Sequence, residues 1–370
     1  MALTFGTFNL MQRRDPARTG ETIYGELVEQ VQLAERLGFS TAWIAEHHFN
    51  NYSLCPSPLI MCSHLAAATK TIRIGTAVLV LPLYEPARVL QEIAMVDSLS
   101  HGRLELGIGS GYQQYEFDRF HAKLDGAMEM TAETLDIIEK GLTQESFSHH
   151  GKHYDIPETR IAVKPVQRPM PPMWVAGMMN NKDIKRRVAT KGFIPFLAAA
   201  LSPTSKLLPI RQAYDEAYRE AGTDPMTQPM GLMRYFHLTD DKKEALDAAE
   251  RCRYSTRISL ALRLNYAKMD GLVVDDTPFK DEPPIDEMMK NMIIGDAHAC
   301  AQRIIEDVDA MRATHIALYS QPGDLPHARV MKSLDKFAAE CVPLVSKELA
   351  KRGVKVSFGP QSQKRAAAAE

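Results

Sequence analysis

Glu46, His47 and His48 stand together at the end of the short apolar run Thr41–Ala45. An imidazole with an ordinary pKa of about 6.5 takes up or releases a proton near neutral pH, so a histidine delivered to a pocket suits general acid–base work. The run reads as a buried strand entered from a helical stretch that stops at Gly38. It therefore projects the triplet from a strand's carboxyl end, where parallel α/β folds assemble their active sites. The plainer alternative is that His47 and His48 only hydrogen-bond the ends of neighbouring strands. Glu46 either orients an imidazole or pairs with a basic group. Adjacent residues on one strand do not both reach one ion, and no third ligand is suggested, so no metal site is expected.

The elements that must position this corner alternate along the chain. Leu3–Asn9 reads as a first strand, followed by the polar loop 12–20 with Arg13 and Arg14. Thr22 is placed to cap a helix whose apolar residues Ile23, Leu27, Val31, Ala34 and Leu37 keep helical spacing. After the Thr41 strand come a helix over Leu59–Ala68 and a strand over Ile72–Leu81. That strand is apolar on both faces, the pattern of a parallel sheet. A helix over Pro86–Leu99 and a strand over Arg103–Ile108 lead into Gly107, Gly109 and Gly111. A polar aromatic segment, Tyr112–Phe120, precedes a helix from Met128 to Leu142, and 147–163 reads as a small β excursion. Strands over Met173–Ala176, Phe193–Leu197, Met230–Leu238 and His315–Tyr319 alternate with helices over Asn181–Lys191, Thr204–Ala221, Lys242 to Arg253, and Ala297–Met311, the last strand leading into Pro326–Leu344. The acidic, Pro-containing stretch Ser255–Met292 reads as a lid or insertion. Roughly eight strands, each followed by a helix and with no break in composition, predict one (βα)8 TIM barrel with insertions over residues 1–360. Residues 361–370 read as a disordered tail.

Composition narrows the function classes. A net charge of −2 does not favour nucleic acid or an anionic membrane as a partner. The five cysteines are scattered without a CxxC, which predicts reduced thiols in the cytoplasm. The N-terminal residues lack a charged leader pattern, and no apolar run reaches the roughly 20 residues of a membrane span. The glycines at 107, 109 and 111 form GxGxG on the fourth strand, not the GxGxxG that opens a dinucleotide fold.

AWIAEHHF (42–49), RIGTAVLVLP (73–82), SHGRLELGIGSG (100–111) and the closing segment 293–343 together resemble the bacterial luciferase-like flavin-dependent monooxygenases over nearly the whole chain. The resemblance implies reduced FMN as co-substrate, oxygen as oxidant, a separate flavin reductase as partner and a small organic molecule as substrate, commonly in a dimer. It also implies that His47 is the catalytic histidine, assisting proton transfer. Ala77-Val78 falls where such enzymes have a non-prolyl cis peptide supporting the flavin ring. Ser110 and Met128 fall where arginines hold the FMN phosphate, which removes two charge-assisted contacts. Backbone groups after Gly109, with Ser110, and the turn Gly177, Met178, Met179, Asn180 and Asn181 then remain to receive the phosphate. Lys182, Lys185, Arg186 and Arg187 read as a solvated helix face. Phe8, Leu10, Phe49, Tyr112 and Phe196 lie near strand ends as pocket candidates. Ala198–Ala200 suggest room for a cyclic or branched substrate. Two other readings use the same barrel: a deazaflavin-dependent hydride-transfer oxidoreductase, and a non-catalytic flavin-binding protein.

Overall fold

A computed structural model describes residues 2–178 and 181–359. Eight parallel strands close on themselves: β1 (Ala2–Asn9), β2 (Thr41–Ile44), β3 (Arg73–Thr76), β4 (Leu104–Gly109), β5 (Met173–Val175), β6 (Ile194–Ala200), β7 (Gly231–Leu238) and β8 (His315–Tyr319). Each pairs with its sequence neighbour, and β8 pairs with β1 through Phe5↔Ile316 and Phe8↔Tyr319. The expected (βα)8 barrel is therefore present. A short extra strand, Ile293–Gly295, extends the sheet beside the far end of β7. The expected tail lies outside the described residues.

The barrel floor is an aromatic plug. Trp43 of β2 packs against Trp174 of β5 and Phe196 of β6, both at 4.9 Å between ring centroids, Trp174 and Phe196 meet at 5.7 Å, and His315 of β8 completes the group at 5.6 Å from Trp43. Trp43 Nε1 donates to His315 Nε2 at 2.7 Å, which leaves the proton on Nδ1, 2.9 Å from Thr4 Oγ1. A histidine satisfied as a neutral ring in a dry core resists charging, and burial pushes His315 down from 6.5 to about 3.

Several elements differ from expectation for identifiable reasons. The first helix runs Gly20–Leu37 and is capped by Thr19, not Thr22; the Thr19 hydroxyl accepts from Thr22 N at 3.2 Å. Gly38 ends it at φ 99°, as its sequence position suggests. The helix from Lys242 continues to Arg263 because Tyr254, Ser255, Ile258, Ala261 and Leu262 prolong its buried stripe. The lid region is thereby reduced to a hairpin (Met269–Asp270 with Val273–Val274) and a short helix at Ile285–Met289. The closing helix breaks into His327–Lys336, a π turn at Phe337–Cys341, and Val342–Ala350. Pro343 has no N–H to give to the preceding turn, which accounts for the widened register.

The continuous strand expected over Ile72–Leu81 is interrupted after Thr76. The Ala77-Val78 peptide is cis, as the resemblance implied, and pairing resumes at Leu79–Val80 against Ile108 and Gly109. Thr76 bridges the gap with its side chain, donating to Gly107 O at 2.7 Å and accepting from Gly107 N at 3.0 Å. The glycines of β4 serve this close approach. A Cβ on Gly107 would lie 2.0 Å from Thr76 O, and one on Gly109 would lie 2.7 Å from a Val78 methyl.

Candidate active site

Above the plug, strand alternation sets what faces the barrel axis. Two residues beyond the plug layer, the eight strand paths carry Phe8, Ala45, Ala77, Gly107, Ala176, Ala198, Met233 and Ala317. Six of these are Ala or Gly, so the barrel widens where a TIM barrel is usually filled. Ala45 and Ala317 are buried, but Ala77 and Ala176 are half-buried and Ala198 is exposed. The open side therefore follows β3, β5 and β6, beside the cis peptide. Ala198 shares the inward face of Phe196, which agrees with the extra room expected there.

The same alternation separates the residues of the Glu46-His47-His48 triplet. His47 follows Trp43 and Ala45 onto the inner face, while Glu46 and His48 turn away and bond each other at 3.0 Å. Glu46 also accepts from Val80 N at 3.1 Å and from the Tyr84 hydroxyl at 2.8 Å. Burial is the largest influence on the Glu46 carboxyl and pushes it up, against the pull of His48, Tyr84 and the Val80 amide. This pair is a brace from the end of β2 to the segment just past the cis peptide. Of the two alternatives for Glu46, it orients an imidazole, that of His48.

His47 has different partners. Its Nδ1 lies 3.0 Å from Glu116 Oε1 and 3.0 Å from the Gln113 side-chain amide, and its Nε2 lies 3.3 Å from the Tyr112 hydroxyl. Glu116 Oε1 also accepts from His48 N at 2.8 Å. A carboxylate at Nδ1 selects the tautomer protonated there, so Nε2 presents its lone pair towards the barrel mouth. Glu116 and Gln113 escaped the sequence reading. Both fall in the polar segment 112–120, now a short helix (Gln114–Arg119) over the mouth, and nothing local marks a helical carboxylate as a histidine's partner.

The other expected residues divide. Ala77, Val78 and Gly109 meet at the neck between β3 and β4. Ser110 is half-buried just beyond it, and its hydroxyl donates to Gly111 O at 3.5 Å. Gly177 is exposed with φ 71°, while Met178 is buried in the core. Met179 and Asn180 lie outside the described residues. Asn181 caps the helix Lys182–Lys191, accepting from Ile184 N at 3.0 Å. Arg187 of that helix is not solvated: it is buried and paired with Asp136, Asp183 and Glu139. Met128 is half-buried on the helix Ala127–Thr143.

Among the pocket candidates, Phe8 and Tyr112 face the mouth region. Phe196 belongs to the plug and Leu10 is core. Phe49 sits on the outer rim at 45% exposure, against Phe120 and His48. In their place the structure brings Tyr52, Tyr235 and Tyr319 to the mouth. Tyr52 packs at 4.6 Å from the His47 ring, and Tyr235 stacks on Tyr319 at 5.3 Å. The helix Lys242–Arg263 roofs this side, with Tyr235 bonded to Thr256 at 3.0 Å. Among the described residues no helix is long and apolar enough to cross a membrane.

The profile of the luciferase-like monooxygenases matches residues 3–315. An uncharacterized protein of Sinorhizobium fredii is 38% identical over 94% of this chain and 99% of its own length. The oxygenase component of a flavin-dependent trigonelline monooxygenase from Acinetobacter baylyi is 27% identical over 93% of this chain and 96% of its own. Among solved structures, the monooxygenase RslO1 of Streptomyces bottropensis superposes with a TM-score of 0.81 at 20% identity, over 92% of this chain and 99% of its own. The oxygenating constituent of 3,6-diketocamphane monooxygenase from Pseudomonas putida, solved with FMN, gives 0.75 at 22%, with the same coverage of both chains. With the barrel, the cis peptide and the histidine at the mouth, these matches place the chain as an oxidoreductase of the luciferase-like monooxygenase family.

Proposed function

We propose that this protein is the oxygenase of a two-component system, using reduced FMN and O2 to oxygenate a small organic molecule, with a separate flavin reductase as its partner. The observation that carries the reading is the His47–Glu116 pair facing an open, Ala- and Gly-lined layer beside the cis peptide. That layer fits a flat ring system, since side chains larger than Ala at 77, 176 or 198 would fill it. Bound there, reduced FMN supplies the electrons that activate oxygen. Ala77 and Val78 support the ring, and Gly109 keeps the neck narrow. Backbone groups around Ser110 and Gly177 receive the phosphate, in place of arginines at 110 and 128. His47 accepts or returns a proton at Nε2, with Glu116 holding its tautomer. Tyr52, Tyr235, Tyr319 and the roofing helix keep bulk water from that side.

The trigonelline relative's description as an oxygenase component, and the FMN bound by the diketocamphane enzyme, support the choice of FMN and of a reductase partner. We further read residues 1–360 as one domain. We also read a homodimer, through the helices Pro58–Ala68 and Pro86–Leu99, where Ile60, Met95 and Leu99 are exposed. The test is stopped-flow mixing of the protein and anaerobically reduced FMN with oxygenated buffer. We expect flavin oxidation kinetics distinct from protein-free buffer, and changed again by His47→Ala. Kinetics identical to free FMN would overturn the reading, and hydride transfer to a deazaflavin would then be assayed.

A further inference from the structure

We propose that the Arg263 guanidinium is a specificity contact for the carboxylate of an aromatic acid, whose ring lies along the tyrosine wall beside His47. The proposal rests on the oxygenase reading only in taking the barrel mouth as the place of the substrate.

Arg263 is the last residue of the roofing helix Lys242–Arg263. Its guanidinium lies over the Tyr112 ring, with Cζ 5.8 Å from the ring centroid. The Tyr112 hydroxyl is in turn 3.3 Å from His47 Nε2. One phenol therefore links this cation to the nitrogen that exchanges protons. Ser259, one turn earlier on the same helix face, also borders Tyr52 and Tyr112. That face looks onto the mouth. The short helix Gln114–Arg119, which carries Glu116, packs against the same roofing helix.

The other arginines of the roofing helix are committed. Arg251 pairs with Asp247 at 3.0 Å, Arg253 with Glu250, and Arg257 with Glu282 at 2.5 Å and Asp276 at 3.1 Å. Arg263 is exposed and has no carboxylate partner among the described residues. A guanidinium drawn to the face of a ring keeps its N–H fork open to an anion. Nothing else at the mouth cancels this charge. Glu116 is engaged by His47 Nδ1 and His48 N. Burial pushes the Tyr52, Tyr112, Tyr235 and Tyr319 phenols above their ordinary range, so they stay neutral. Arg119, exposed and stacked on Tyr115 at 3.3 Å, adds charge of the same sign to the rim.

The wall sets the rest of the ligand. Phe8 meets Tyr319 edge-on at 5.3 Å, and Tyr112 lies 5.7 Å from the His47 ring. Rings pair by offset or edge contacts that a slim chain does not make, which favours an aromatic body. An aromatic acid divides to match. Its ring enters between the tyrosines, while its carboxylate stays at the rim, where water still reaches it and no charge has to be buried. There the planar fork of an arginine meets both carboxylate oxygens, as the point charge of a lysine cannot.

Isothermal titration of the full-length protein, without flavin or turnover, tests this with two pairs of matched shape. The pairs are 4-hydroxybenzoate against 4-hydroxybenzamide, and indole-3-acetate against indole-3-acetamide. In at least one pair the acid is expected to bind about tenfold more tightly than its amide. Arg263→Gln is expected to abolish that advantage and leave the affinity for the amide unchanged, and Arg263→Lys to keep part of it. Amides that bind as tightly as their acids in both pairs overturn the proposal. So does the absence of binding by either acid, or an advantage that survives in Arg263→Gln. Arg263 is exposed at a helix end, so both variants are expected to melt with the parent protein. Because flavin oxidation is measured separately, this proposal and the oxygenase reading fail independently.

Discussion

At His47 the two ring nitrogens have separate work. Nδ1 is committed to Glu116, so Nε2 alone is free to exchange a proton at the mouth. Removing the ring in His47→Ala should lower turnover by about 10²–10⁴-fold once a substrate is in hand, the usual scale of general acid–base catalysis. Glu116→Gln should cost less, about tenfold, and raise the hydrogen peroxide released per flavin oxidised, as read by a peroxide assay. FMN affinity should not change, because Glu116 touches the histidine and not the proposed cofactor wall. His315 supplies a second residue-scale prediction. Its folded pKa of about 3 lies below the ordinary 6.5, so between those values the unfolded chain holds a proton that the native protein refuses. Its contribution is intact above pH 6.5 and is lost as pH falls towards 3, by about 1.4 kcal/mol per pH unit. Urea titrations across that window should show a slope shallower by about one proton in His315→Gln than in the parent protein.

Between elements, the site depends on how tightly β3 and β4 approach. Gly107→Ala would place a methyl against the Thr76 carbonyl and should cost about 1–3 kcal/mol or more in chemical denaturation, since backbone cannot yield as a side chain would. Its effect on FMN binding should exceed that of Gly25→Ala, where an added Cβ meets nothing within 4 Å. On the outer face of β7, Arg234 is fully buried and bonded to Asp307 of the helix Ala297–Met311 at 2.7–2.9 Å. Arg234→Leu leaves Asp307 short of a buried counter-charge, although Arg303 still reaches it. A loss of about 3–5 kcal/mol is expected from urea or guanidinium unfolding.

Across the molecule, the helices Pro58–Ala68 and Pro86–Leu99 pack together beside β2 and β3. Ile60 is 73% exposed and Met95 54%, which is unusual for large apolar side chains on neighbouring helices. An apolar patch of this kind marks an interaction face. The double variant Ile60→Glu with Met95→Glu should therefore sediment as a monomer where the parent sediments as a dimer. A parent that is already monomeric would remove the dimer reading. His47, Glu116 and the cis peptide lie on other segments than these two exposed side chains, so flavin oxidation kinetics should survive the double substitution.

Much of this was legible in the residues themselves. The strand–helix alternation, the strands β1, β2, β4 and β8, and the helix Pro86–Leu99 follow from local periodicity, because a buried strand and an amphipathic helix each impose a repeat on neighbouring positions. His47 was legible for a related reason: a strand end is a local feature, and the residue after it goes to the mouth. The cis bond at Ala77-Val78 was visible only through resemblance, since an apolar β-branched run reads as unbroken strand. Tertiary structure alone decided which histidine faces inward, that Glu116 serves His47 while Glu46 serves His48, and that Phe196 is floor and Tyr52, Tyr235 and Tyr319 are wall. Apart from the local Glu46–His48 pair, such contacts join positions far apart in the chain, as His47 and Glu116 are, and only closure of the barrel brings them together.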